Sequence, residues 1–257
     1  MLRELFERQR PLMIAGIVFL IGGFVMASLM LVDDGQILGI NRWIKPMKFY
    51  ISTTIFLWTI AILLNYLRGY TWFLRTVSWS MVVIFVIEMA AVTGQAAHGT
   101  TSHFNRENSQ GALIFAIMGL AILLNTCLVA AILVAYFRSN TGLSPTLLWG
   151  IRLGLMLFLA GSMEGGYMSA TFGHTVGAID GGPGLPLTNW STVAGDLRVA
   201  HFLGLHSLQA IPLFALLTDR FGFSRTPTFT VAFAGVYFVF FMLLFLQALL
   251  GQSLIRL

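Results

Sequence analysis

The sequence predicts an all-α fold, a polytopic membrane bundle of seven transmembrane helices, and three observations carry that prediction. Of the 257 residues, 57% are hydrophobic and only 10% charged, and the mean hydropathy is +0.84; so apolar a chain does not make a soluble domain. Seven stretches reach the roughly 20 apolar residues that cross a hydrocarbon core of about 30 Å. The segments between them are polar and carry the Gly, Pro and Asn of helix connections.

The first span, 11–32, follows Arg3, Arg8 and Arg10; it is longer than a signal-peptide core and no A-x-A site follows, so it is expected to be a retained helix. The second, 47–66, grows out of "NRWIKPMKF", and the third, 72–95, ends in "EMAAVTGQAAH". The fourth, 111–137, holds Cys127, the single cysteine, which excludes a disulfide framework within one chain. The fifth is 147–172, and the sixth, 197–217, opens with "GDLRVAHFLGLHSLQ". The seventh, 229–250, is apolar almost all round and is expected to face lipid. Residues 1–257 are thus expected to form a single seven-helix transmembrane domain.

The net charge of +5 is scattered over short loops rather than gathered in a patch, so it gives no sign of nucleic acid as a partner and reports topology instead. With the N-terminus cytoplasmic, the inner ends collect Arg3, Arg8, Arg10, Arg68, Arg75, Arg138, Arg152, Arg220 and Arg225; the other side has Arg42, Lys45, Lys48, Arg106, Arg198 and Arg256. That bias favours an inner-membrane protein with an extracytoplasmic C-terminus. The longest connection, 174–196, lies outside on this reading and has the length of a lid or binding loop; its "GGPGLP" permits a folded-back path, and Trp190 suits the interface.

An internal likeness aligns "EMAAVTGQAAH" (88–98) with "EGGYMSATFGH" (164–174), placing Glu on Glu and His on His. It would make helices three and four a duplicate of five and six, in the manner of the parallel repeats of some membrane folds.

All five histidines fall on the outer side: His98 and His103 after helix three, His174 after helix five, and His201 and His206 in helix six. Glu88, Glu164 and His206 lie at one level, roughly 10–14 Å below the surface, where an ionisable group is costly unless paired, protonated or metal-bound and marks function by default. His201 and His206 are five residues apart, which turns a helix by about 140°, so the two rings serve different layers. His206 shares a face with Gln209 and is expected to meet Glu88 and Glu164, while His201 joins His98, His103 or His174 in an upper layer with Ser102 and Asn105. Imidazole with carboxylate suits zinc, iron or copper, and facing histidines suit haem. Lys45 and Lys48, around Pro46, read as snorkelling anchors beside Trp43, or else as a basic rim that attracts anionic lipid headgroups or a substrate carboxylate and, with Asp180 and Trp190, borders a substrate. Asp196 is placed to cap helix six or to support His201 from behind.

The stretches "WIKPMKF", "TSHFN" and "DGGPGLPLTNWST…GDLR…HF.GLH.LQ" resemble those of uncharacterised multi-pass bacterial membrane proteins over most of the chain. More loosely, the chain resembles the seven-helix membrane hydrolases of the alkaline ceramidase and adiponectin receptor type, with H-x4-H where those have H-x3-H. That resemblance implies zinc held by histidines near one membrane face.

Two functional readings follow. In the first, a metal or haem centre held by His98, His103, His174, His201, His206, Glu88 and Glu164 serves an oxidoreductase or hydrolase acting on a lipophilic or small-molecule substrate, with the two glutamates moving protons. In the second, the same carboxylates and histidines form the relay of a metal-free transporter or proton-coupled carrier.

Overall fold

A computed structural model describes residues 2–67, 69, 71–106, 108–222 and 227–256. Arg68 and Arg225, both counted above on the inner side, lie outside the described residues. The described chain is mostly helical, and seven of its helices are long and apolar enough to cross a membrane. These are α2 (Arg10–Leu29), α3 (Ile44–Tyr66), α4 (Thr71–Ala97), α5 (Ser109–Arg138), α6 (Pro145–Thr171), α7 (Leu197–Arg220) and α8 (Thr228–Leu249), preceded by a short α1 (Leu2–Arg8). Each predicted span is found, and α3 begins at Ile44, earlier than expected, because Pro46 fits a first helical turn where its missing N–H costs nothing. Two small antiparallel hairpins were not foreseen: β1 (Gln36–Ile37) with β2 (Ile40–Asn41), and β3 (Thr175–Val176) with β4 (Gly195–Asp196).

The chain divides into two compact units, Met1–Leu128 and Val129–Leu257. In the first, α3 packs on α2 and on α4, and α2 also touches α4. Leu12, Leu57, Ile60, Leu64 and Met81 are fully buried. Thr54 Oγ1 donates to the Gly16 carbonyl of α2 at 3.2 Å, and the Trp58 indole donates to Met13 O at 3.3 Å. The β1–β2 turn, Leu38 and Gly39, has positive φ at both residues, the backbone of a tight hairpin whose twist matches its strands.

In the second unit, α7 packs most closely on α6 and also on α8, with α6 touching α8. Leu155, Ala200, Leu208, Ile211 and Ala215 are fully buried. Ser207 Oγ donates to the Gly154 carbonyl of α6 at 3.0 Å. At the closest crossing, a Cβ on Gly161 would lie 2.8 Å from the Gly204 backbone, so only glycine fits. The long loop is pinned at its base by β3–β4 and inside by a Gly184–Ser191 bridge. Helix α8 leaves Val236, Val239, Phe240 and Leu243 exposed, the surface of a helix against lipid.

These two descriptions repeat one plan: helix, hairpin, helix, helix, with the same packing order. Thr54 bonding Gly16 corresponds to Ser207 bonding Gly154. Seven residues after each glycine, Gly23 meets Ile51 and Gly161 meets Gly204, each partner three residues before the hydroxyl. The likeness therefore runs from α2–α3–α4 to α6–α7–α8. This corrects the alignment of 88–98 with 164–174, which sets α4 on α6 instead of α2 on α6. Small residues at helix crossings, rather than glutamates, carry the repeat.

Candidate functional site

The ionisable residues of the spans divide between the units. In the first, Glu88 is 2% exposed on the buried face of α4, about 14 Å below the end of that helix at an α-helical rise. Its Oε1 is buried without a hydrogen-bond partner among the described residues. Lys45 Nζ lies 3.2 Å from His103 Nδ1, and Ser102 Oγ lies 3.1 Å from the same nitrogen. The imidazole stands among Phe49, Phe104 and Phe115, at ring-centroid distances of 5.4, 6.1 and 6.3 Å. Below it, Asn105 and Gln95 amides both donate to Thr101 O, at 3.0 and 3.4 Å, fixing the α4–α5 loop. His98 is exposed at the end of α4. The same end is braced by Asp33, which accepts from Gly35 N, from the Trp43 indole and from Arg42 at 2.5–2.9 Å. Those bonds hold the Asp33 carboxyl down at about 2.

In the second unit Glu164 is 4% exposed, about 10 Å below the end of α6, and both carboxyl oxygens are buried with no donor. His201 does not reach it: His201 Nδ1 bonds Gly161 O at 2.8 Å, and the ring fills the groove left by Gly165, where a Cβ would lie 2.7 Å from His201 Cε1. Nor does His206, whose ring lies 4.2 Å, centroid to centroid, from the Phe202 ring one turn earlier on its own helix. The expected meeting of His206 with Glu164 is thus not made: the imidazole packs against Phe202 of its own helix, and neither Glu164 oxygen has a hydrogen-bond partner among the described residues. Glu88 and Glu164 belong to different units.

His174 forms a third group at the base of the long loop. Its Nδ1 lies 3.1 Å from Thr175 Oγ1, 3.3 Å from Asp180 and 3.8 Å from Asp196. Asp196 caps α7 and accepts from Arg198 N, from the Arg198 guanidinium and from Ser191 N. Burial pushes its carboxyl up, but the Arg198 bonds and charge outweigh that and hold it below the usual range. Arg198 also reaches Asn189 O, and Trp190 meets Phe202 edge-on at 5.7 Å. The role expected of Asp196 as a cap is observed; a bond to His201 is not, since that ring is held by Gly161.

Among the described residues, no three His, Cys, Asp or Glu side chains converge as a metal-ligand set. His174, Asp180 and Asp196 come nearest, yet the carboxylates already accept from backbone N–H groups and Arg198, so a metal would have to displace the bonds that hold the loop. Sequence reading missed the contact of Lys45 with His103 and the Asp33–Arg42–Trp43 brace. For the brace, the acidic "DD" ahead of "NRW" was the available signal. The chain matches no protein-family model, no curated protein and no solved structure.

Proposed function

We propose that this protein is a proton-coupled carrier of the cytoplasmic membrane, with the hairpin end of each unit extracytoplasmic and Glu88 and Glu164 as its proton-handling groups. The observation that carries the reading is the Glu164 carboxyl, buried within a membrane span with no donor to either oxygen. A carboxylate so placed has no hydrogen-bond donor among the described residues, so its charge is met by a proton or by a bound cation, and exchange between the two environments of a carrier supplies either. Two further features support the reading. Glu88 repeats the circumstance in the first unit with its donorless Oε1. The repeated three-helix plan, with α5 as the single span between copies, gives both copies the same sense through the membrane by crossing count, a construction common among carriers.

The test is infrared difference spectroscopy on the protein in liposomes, between acidic and neutral external pH, combined with a pH-sensitive dye trapped inside. A protonated-carboxyl band that titrates and is absent from Glu164→Gln, together with solute-dependent proton entry that the same substitution abolishes, is expected. A band that never titrates, or proton entry unchanged in Glu164→Gln, would overturn the assignment.

A further inference from the structure

The connection between α6 and α7 is built the wrong way round for a loop in water. Residues 181–195 hold no charged side chain, and the acids that flank them are turned inward: Asp180 accepts from His174 N and Thr175 N, and Asp196 from Arg198 and Ser191 N. The tip is a fixed turn, in which Asn189 N donates to Leu185 O and Leu185 N to Trp190 O, both at 2.8 Å. Leu187 stands there at φ +62° and is 61% exposed. Glycine or asparagine takes the left-handed region with less strain, and a polar side chain is better solvated, so neither backbone nor water favours a leucine at this position. Val193, on the returning arm, is exposed as well.

The loop also runs down beside its helices rather than standing clear of them. Trp190 meets the Phe202 ring of α7 edge-on at 5.7 Å and packs on the cluster of Val199, Ala200, Phe241 and Leu244. With 24 residues, α7 is about 36 Å long against a hydrocarbon core of about 30 Å, so centred in that core it projects by about 3 Å at each end. Phe202 lies about 8 Å along the helix and is exposed; it belongs to the lipid-facing surface, and the loop continues that surface through Trp190.

We propose that residues 183–193 are seated in the membrane, with Leu187, Trp190 and Val193 entering the boundary between headgroups and acyl chains in the leaflet at the α6–α7 end. Tryptophan, apolar with one polar edge, suits that boundary, and lipid takes up the apolar surface that water does not favour. The seat fixes more than the loop. Arg198 bonds both the Asn189 carbonyl at the tip and the Asp196 cap of α7, so lipid holds the start of that helix through the loop. The connection is then an anchor and not a lid that swings.

The test uses the full chain with Cys127→Ser in phosphatidylcholine nanodiscs, carrying one nitroxide label on Leu187→Cys, Val193→Cys or Ile179→Cys. Oxygen, which concentrates in the bilayer, and a water-soluble nickel chelate relax the label according to its depth. Labels at Leu187 and Val193 are expected to be relaxed more by oxygen than by nickel. The label at Ile179 is expected to show the reverse, since it stands beside Asp180, whose side chain is 24% exposed. Leu187→Asp, which sets a charge at the tip, is expected to shift the Val193 label toward nickel. Dichroism and gel filtration of each variant separate a moved loop from a lost fold. Stronger relaxation by nickel at Leu187 and Val193 places the tip in water and overturns the proposal. Protection from both agents overturns it too, and dipolar broadening between labels would then identify a second copy as the cover. Oxygen preference at Ile179 as strong as at Leu187 overturns the confinement of the seat to residues 183–193, and a Val193 label unmoved by Leu187→Asp overturns the part given to Leu187.

Discussion

Ser207 Oγ donates to the Gly154 carbonyl at 3.0 Å across α7 and α6, in the place where Thr54 does the same to Gly16 across α3 and α2. A hydroxyl reaching a neighbouring backbone needs helices in close contact, and glycines provide it: a Cβ on Gly154 would stand 3.0 Å from Ser207 O, and one on Gly161 2.8 Å from the Gly204 backbone. Gly161→Ala therefore forces α6 and α7 apart and is expected to lower stability by about 1–3 kcal/mol, the cost of overpacking. Gly94, on α4, has nothing within 4 Å of an added Cβ, so Gly94→Ala should be neutral or gain up to about 1 kcal/mol from helix propensity. Thermal unfolding in detergent compares the two, and equal loss in both would show that the crossing is not tight.

The seven spans were legible because an apolar run of about 20 residues admits few other structures. The burial of Glu88 and Glu164 followed from the same logic, since an ionisable group in a span turns inward. The five-residue spacing of His201 and His206 separated their roles before any coordinates, and the rings do meet different partners, Gly161 O and the Phe202 ring. The Lys45–His103 contact was not legible: the residues are 58 positions apart, and a lysine beside Trp43 fits an interfacial anchor equally well. The repeat was misaligned because its marks are a Thr matched by a Ser and glycines at matching crossings, whereas paired glutamates catch the eye and lie on helices that do not correspond.

Acid stability should report the Asp33 brace. In the folded chain this carboxyl is held at about 2 by bonds from Gly35 N, the Trp43 indole and Arg42, against ~3.9 in an unfolded chain. A depressed pKa contributes stability that is complete above the unfolded value and lost as pH falls toward the folded one. Unfolding followed from pH 5 down to pH 2, a range set by those two values, should show the loss, and Asp33→Asn should flatten it. An unchanged acid limb in the variant would rule the brace out as its source.

Glu164 and Asp196 are both buried acids with opposite surroundings, and their amides should behave oppositely. Asp196 accepts from Arg198 and Ser191 N, so Asp196→Asn breaks charged hydrogen bonds and leaves Arg198 without its partner, at a cost of about 2–4 kcal/mol. Glu164 has no donors to lose, and Glu164→Gln should leave the unfolding midpoint unchanged or raised. Destabilisation by Glu164→Gln as large as that by Asp196→Asn would mean that Glu164 holds the fold together rather than handling protons.

The crossing count makes a final prediction about sidedness. From the β1–β2 hairpin to the long loop the chain passes through α3, α4, α5 and α6, an even number of spans, so both connections emerge on one side, and the C-terminus, two spans further on, joins them. Leu38, 52% exposed, and Ile179, 89% exposed, are suitable reporters once Cys127, which is itself exposed on α5, is replaced by serine. A membrane-impermeant maleimide added to intact cells should label Leu38→Cys and Ile179→Cys alike, while a cysteine introduced ahead of α2 reacts only after lysis. Arg3, Arg8 and Arg10, from which this orientation is expected, precede the first span, and positive charge resists translocation. Labelling of Leu38→Cys and Ile179→Cys from opposite sides would break the seven-span count, and with it the common sense of the two copies on which the carrier reading draws; labelling of both only from inside would invert the protein and place Glu164 and the Lys45–His103 pair toward the cytoplasm.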